Sequence, residues 1–125
     1  MATRLIKTKR IYESPAREDG FRILVDKLWP RGIRKEKTKI DLWLREIAPS
    51  DDLRKWFSHD PQKWEKFKTK YEKQLAARQE FLQKIRQIKK EKGNVTLLYS
   101  ARDTERNNAV VLLAVLEKKC PFASN

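Results

Sequence analysis

Gly93-Asn94-Val95-Thr96-Leu97-Leu98-Tyr99-Ser100 is the stretch that decides the fold. Between a turn-forming pair and a serine, five residues carry no charge and almost no polarity. A strand with one wet face alternates apolar and polar positions; a near-continuous apolar run instead requires cover on both faces, as in the centre of a parallel sheet. The flanking segments agree. Residues 61–90 space Trp64, Phe67, Tyr71, Leu75, Leu82 and Ile85 at helical intervals, with Lys and Glu on the opposite face. Residues 105–119 read as a last helix whose middle, Ala109 to Leu116, is apolar on nearly every side and so belongs deep in the molecule. A strand set between helices points to parallel pairing, with the helices covering the sheet.

Working outward, residues 5–12 read as a short strand and residues 14–20, with Pro15 and Gly20, as a loop. Residues 21–28 form a clearer strand: Phe21, Ile23 and Val25 point one way and Arg22, Leu24 and Asp26 the other, until Pro30 and Gly32 stop it. Residues 34–39 are a basic loop. Residues 40–47 place Ile40, Trp43, Leu44 and Ile47 on one helical face, ended by Pro49. Ser50 is positioned to cap a short helix over 51–57, and Asp60, followed by Pro61, to cap the long one. Unbroken to Lys90, that helix would span about 45 Å, so a break is expected near Ala76 to Gln79. The expected fold is α/β: a small, mostly parallel three-stranded sheet covered by helices, in the order β-β-α-α-α-β-α. The 125 residues are read as a single domain, 1–125.

Thirty Lys and Arg against seventeen Asp and Glu give a net charge of +13. Such a surface attracts phosphates, nucleic acids and anionic membranes. Cys120 is the single cysteine, so no internal disulfide forms. Neither a signal-peptide pattern nor an apolar run of membrane-spanning length is present, and the expected location is the cytoplasm with no membrane partner. One His and one Cys, far apart in the chain, match no zinc spacing, and no Gly-rich phosphate fingerprint occurs. No metal or cofactor is therefore expected.

In open parallel sheets, ligands bind outside the carboxyl ends of the strands. Two loops qualify. In Asp26-Lys27-Leu28-Trp29-Pro30-Arg31-Gly32, Pro30 restricts Trp29 to extended geometry and Gly32 permits a positive φ, so Arg31 is held in a fixed turn. Its guanidinium suits bidentate recognition of a phosphate or carboxylate; the alternative is an internal pair with Asp26. Trp29 either stacks on a ligand or packs. In Ser100-Ala101-Arg102-Asp103-Thr104, the loop enters the last helix, where amides either attract an anion or are capped by Asp103 or Thr104. His59, the single histidine, lies beside Asp60 between two helices and is either an acid–base group or a surface residue.

Taken together, the motifs resemble the YeaO-like family, domain of unknown function 488. The resemblance rests on Asp19-Gly20-Phe21-Arg22 running on to Trp29-Pro30-Arg31-Gly32, on Asp41-Leu42-Trp43-Leu44, and on Leu53-Arg54-Lys55-Trp56-Phe57 with His59-Asp60. It continues through Trp64, Phe67 and Tyr71, Val95 to Tyr99, and Asn107-Asn108-Ala109, and covers about residues 4–116. Lys27 stands where Arg is usual, Arg102 where Lys is usual, Gln74 where Glu is common and Ser100 where Ala is common. The resemblance implies that the Trp-Pro-Arg-Gly loop, the Trp-Phe-x-His-Asp segment and the loop Tyr99-x-Ala101-x-Asp103 form a linked set. It implies no activity.

The leading expectation is a pocket for a small anionic ligand, phosphate- or nucleotide-like, at the strand ends. Arg22, Trp29, Arg31, Tyr99 and Arg102 are its candidate contacts. Asp26, His59 and Asp103 are the candidate proton-transfer groups if a reaction occurs. The alternative is a nucleic-acid-binding module that uses the 31–39 loop or the Lys-rich 63–92 helix.

Overall fold

The computed structural model describes residues 6–118. Cys120 and the outer ends of the first strand and last helix expected from sequence lie outside them. Four strands, β1 (Ile6–Arg10), β2 (Phe21–Leu24), β3 (Leu42–Trp43) and β4 (Val95–Tyr99), form one sheet in the order β1-β4-β2-β3. All three pairings are parallel: Ile6 aligns with Val95, Phe21 with Val95, and Ile23 with Leu42. The central position of β4 fits its five buried residues.

The sheet has four strands, not three. The segment 40–47 is not a helix: its middle is β3, followed by a 3-10 turn at Arg45–Ile47. Its apolar spacing is shared between two cores rather than presented by one face. Ile40 and Trp43 pack with Ile11, Leu24 and Leu98 on one side of the sheet, while Leu44 and Ile47 join the larger core on the other. The open edge of β2 decides the matter. Asp41 N–H donates to Arg22 O at 2.8 Å and Leu44 N–H to Leu24 O at 2.9 Å, an inter-strand ladder that a helix would forgo.

Helices α2 (Asp51–Phe57), α3 (Trp64–Ala76), α4 (Gln79–Lys92) and α5 (Asn108–Glu117) supply the larger core, which also takes Ile23, Val25, Val95, Leu97 and Tyr99 from the sheet. The 29–43 segment, carrying the single-turn α1 (Lys35–Thr38), covers the other face, where the Trp29 and Trp43 rings meet edge-on at 5.2 Å. Ser50 caps α2, its hydroxyl accepting from Leu53 N–H, and Asp60 accepts from Gln62 N–H ahead of Pro61. The long helical stretch breaks at Ala77 and Arg78, whose N–H groups bond back to Gln74 O and Leu75 O. The Arg78 guanidinium donates to Ala48 O and fixes this corner against the loop after β3. The two shorter helices keep Tyr71, Leu75, Leu82 and Ile85 on the core, which one straight rod of about 45 Å would carry past the sheet.

Tyr71 is fully buried, and its hydroxyl donates to Ile47 O at 2.5 Å, tying α3 to the 3-10 turn after β3. Burial pushes the phenol far above its ordinary value, so it stays a donor at every working pH. Tyr71→Phe leaves a buried carbonyl without this partner. The expected cost is about 1–3 kcal/mol in urea unfolding, with the m-value unchanged.

Candidate functional site

All four strands point their carboxyl ends at one edge, and a cleft of about 590 Å³ opens there. Each strand contributes to its lining: Tyr12 follows β1, Asp26 to Arg31 follow β2, Pro49 lies beyond β3, and Ser100 and Ala101 follow β4. The far wall is the C-terminal turn of α2 with Phe57, Ser58 and His59, and Asn107 and Asn108 enter from the start of α5.

At the base lies Asp26. Its Oδ2 accepts from Ser100 N–H at 2.9 Å and from the Ser100 hydroxyl at 2.7 Å; its Oδ1 accepts from Asn108 Nδ2 at 3.1 Å. Asn108 also donates to Val25 O, so both its amide hydrogens face the end of β2. Burial pushes the Asp26 carboxyl above its ordinary value, against the opposing pull of the Ser100 and Asn108 hydrogen bonds. The carboxylate is thus held by β4 and α5, and it locks the two loops that sequence reasoning had placed on one edge.

The rim is cationic. Lys27, Arg31, Arg54 and Lys55 line the cleft, and Asp26 is the one carboxylate among the described residues that does so. Arg54 pairs with Asp51 at 3.2 Å. Arg31 is exposed and forms no ion pair with a described carboxylate; the internal pair with Asp26 is not made, because Ser100 and Asn108 already hold that group. What fixes the Arg31 turn is its backbone. The Tyr12 hydroxyl donates to Arg31 O at 2.8 Å, and Gly32 takes φ +77°. Trp29 lines the cleft while its indole N–H donates to Ile33 O, which closes the same turn. Ser58 and His59 follow α2 at φ +45° and +59°, two consecutive left-handed residues without glycine. Such backbone is sparsely populated and must be held by its surroundings.

Of the residues named from sequence, Asp26, Trp29, Arg31 and His59 line this cleft. Arg22, Tyr99, Arg102 and Asp103 do not. Arg22 is buried on the Asp19 carboxylate and on the carbonyls of Lys39 and Thr38, away from the strand ends. Tyr99 is buried in the helix-covered core, and burial raises its phenol. Arg102 is exposed outside the lining. Asp103 accepts from the N–H groups of Glu105 and Arg106 and pairs with the Arg106 guanidinium; these bonds lower its carboxyl. It therefore shapes the loop. The helix cap proper is Asn107, which accepts from Val110 N–H, and α5 begins three residues later than the sequence suggests.

Two residues that sequence reasoning left out organise the cleft. Asn108 is one; an Asn-Asn pair facing a strand-end aspartate was its signal. Arg10 is the other. It donates to Ala101 O at 2.8 Å and to Ser100 O at 3.2 Å, and its guanidinium lies 4.8 Å from the Tyr12 ring centre. It clamps the loop after β4 to the end of β1.

The sequence model described as "Inactive DUF488-N3 subclade" matches residues 5–123. The chain belongs to this family. It is 43% identical over 107 residues to "Uncharacterized protein YeaO" of Escherichia coli (strain K12), a match covering 86% of this chain and 92% of that protein. It is 34% identical over 116 residues to "Uncharacterized protein Rv3073c" of Mycobacterium tuberculosis (strain ATCC 25618 / H37Rv), covering 89% of this chain and 92% of that one. No solved structure matches it significantly. For this DUF488 member, no described helix is long and apolar enough to cross a membrane. Among the described residues no three His, Cys, Asp or Glu gather in a metal-binding group.

Proposed function

We propose that this DUF488 protein binds a small anionic ligand, through a phosphate or carboxylate group, in the cleft at the carboxyl edge of its sheet, and that it binds without turnover. The observation that carries the reading is the rim: Lys27, Arg31, Arg54 and Lys55 around a concave site with a single lining carboxylate. The Tyr12 hydroxyl bond to Arg31 O and the turn at Gly32 place the Arg31 backbone at the rim before any ligand arrives. The cleft has the size of a small-molecule site, with Trp29, Pro30, Pro49 and Phe57 supplying apolar surface.

Binding without chemistry is supported by how the acid–base candidates are engaged. Asp103 is committed to its own loop, and no hydrogen bond joins His59 to Asp26 or Ser100 among the described residues. A nucleophile, base and orienting acid within reach of one another would be needed for acyl transfer of the Ser-His-Asp kind. The subclade's description as inactive agrees with that arrangement.

Thermal shift with inorganic phosphate, citrate, ribose 5-phosphate and AMP tests the reading. A saturable rise is expected with at least one of them, worth about 1.4 kcal/mol at ten times its Kd. Arg31→Ala should abolish most of it while leaving the melting temperature of the free protein near that of the wild type. No rise with any of the four, or a rise that Arg31→Ala leaves intact, would sink the proposal.

A further inference from the structure

Resting on the reading of the cleft as an anion site, we infer that its ligand is a phosphorylated polyol, a pentose phosphate either free or within a nucleotide, which sets its phosphate at the Lys27–Arg31 rim and donates a hydroxyl to Asp26. The two ends of the cleft ask for opposite chemistry. Its rim offers donors and positive charge; its base offers a carboxylate. A ligand that is only an anion satisfies the rim and places negative charge against Asp26. One that carries a hydroxyl at a distance from its anion satisfies both.

The state of Asp26 makes the second contact specific. A carboxylate has about four acceptor sites. Three are filled: two on Oδ2 by Ser100, one on Oδ1 by Asn108. Oδ1 thus retains acceptor capacity in a group that lines the cleft and cannot swing away, since its three donors come from β4's loop and α5. No described Lys or Arg forms a salt bridge with it; the carboxylates in the ion pairs seen among the described residues are Asp19, Asp51, Glu65 and Asp103. A half-buried carboxylate left with neutral donors and one open site is suited to a neutral donor from a ligand, and sugar hydroxyls are such donors. Size points the same way. The cleft of about 590 Å³ is far larger than a phosphate ion needs, and Trp29, Pro49 and Phe57, which also line it, offer apolar surface for the face of a sugar ring or base.

Isothermal titration of the full chain with ribose 5-phosphate, inorganic phosphate and ribose separates the possibilities. Ribose 5-phosphate should bind at least about tenfold more tightly than inorganic phosphate, the scale of one hydrogen bond to a charged acceptor, and ribose alone more weakly than either. Asp26→Asn should bring ribose 5-phosphate down to the affinity of inorganic phosphate and leave inorganic phosphate unchanged or stronger. The wild-type ratio is decisive without the variant, should Asp26→Asn fold poorly. Equal affinity for phosphate and ribose 5-phosphate overturns the inference and leaves the anion site standing. Absence of binding by both phosphates overturns the anion site, and the inference with it.

Discussion

Replacing Asp19 by alanine is expected to lower folding stability by about 3–5 kcal/mol, the range for removing one partner of a buried ion pair. Asp19 has no exposed surface, and its carboxylate meets Arg22, Lys9 at 3.1 Å and Lys7 at 3.2 Å. Arg22 is itself buried. Without Asp19 its guanidinium keeps only the Lys39 and Thr38 carbonyls, and its charge is uncompensated. Removing Lys7 instead should cost within about 1 kcal/mol, because its side chain is 43% exposed and its charge stays largely solvated in either state.

The same cluster sets an acid limit. Burial alone would raise the Asp19 carboxyl, but hydrogen bonds from Ala16 N–H, Lys9, Lys7 and Arg22 outweigh it and hold the group well below the usual carboxylate range. A folded value below the unfolded one of about 3.9 means that the contribution is fully present above about pH 4. It is lost as pH falls from there toward the folded value. Urea midpoints measured from pH 7 to pH 2 should therefore drop more steeply below pH 4 for the wild type than for Asp19→Asn. Parallel curves would show that Asp19 does not govern the acid limb.

Gly20→Ala is the second change with a large expected effect. Gly20 sits at φ +66°, ψ −134°, a region that side chains scarcely enter. A Cβ built there would lie 2.2 Å from the carbonyl oxygen of Asn94 and 2.7 Å from its carbon. That oxygen accepts from Phe21 N–H at 2.9 Å, the first link between β2 and β4. Relief of the clash must therefore move backbone at the start of the central pairing, and the strain adds to the lost bond. A loss of about 3 kcal/mol or more is expected, from backbone strain of about 1–3 kcal/mol and displacement of the inter-strand hydrogen bond. Gly32→Ala is the control: φ is +77°, but nothing lies within 4 Å of the added carbon. Its expected cost is about 1–2 kcal/mol from φ alone. Equal melting temperatures for the two variants would contradict the close approach at Gly20.

Much of the architecture was legible because local patterns and long-range packing agreed. The uncharged run at Val95–Tyr99 is the central strand. Ser50 and Asp60 cap as their positions suggest, and the helical stretch breaks within the expected segment. Residues 40–47 look helical in sequence because apolar spacing of three and four is shared by a helix face and by a short strand whose neighbours divide between two cores. Only the unpaired edge of β2 distinguishes them, and that edge is made by residues some twenty positions earlier.

For the candidate site, the sequence by itself determined that the loop after β2 ends in a rigid Trp-Pro-Arg-Gly turn at a strand terminus, since proline and glycine restrict their own backbone. It also determined the excess of cations on which the proposed anion site draws. Which charges meet was decided only by tertiary structure. Arg22 and Arg31 are both arginines near the same strand, yet one is sealed on Asp19 and the other lines the cleft. Asp26 is held by Ser100 and Asn108, more than seventy residues away in sequence. An arginine's partner depends on which carboxylates the chain crossings bring within about 4 Å, and local sequence does not carry that information.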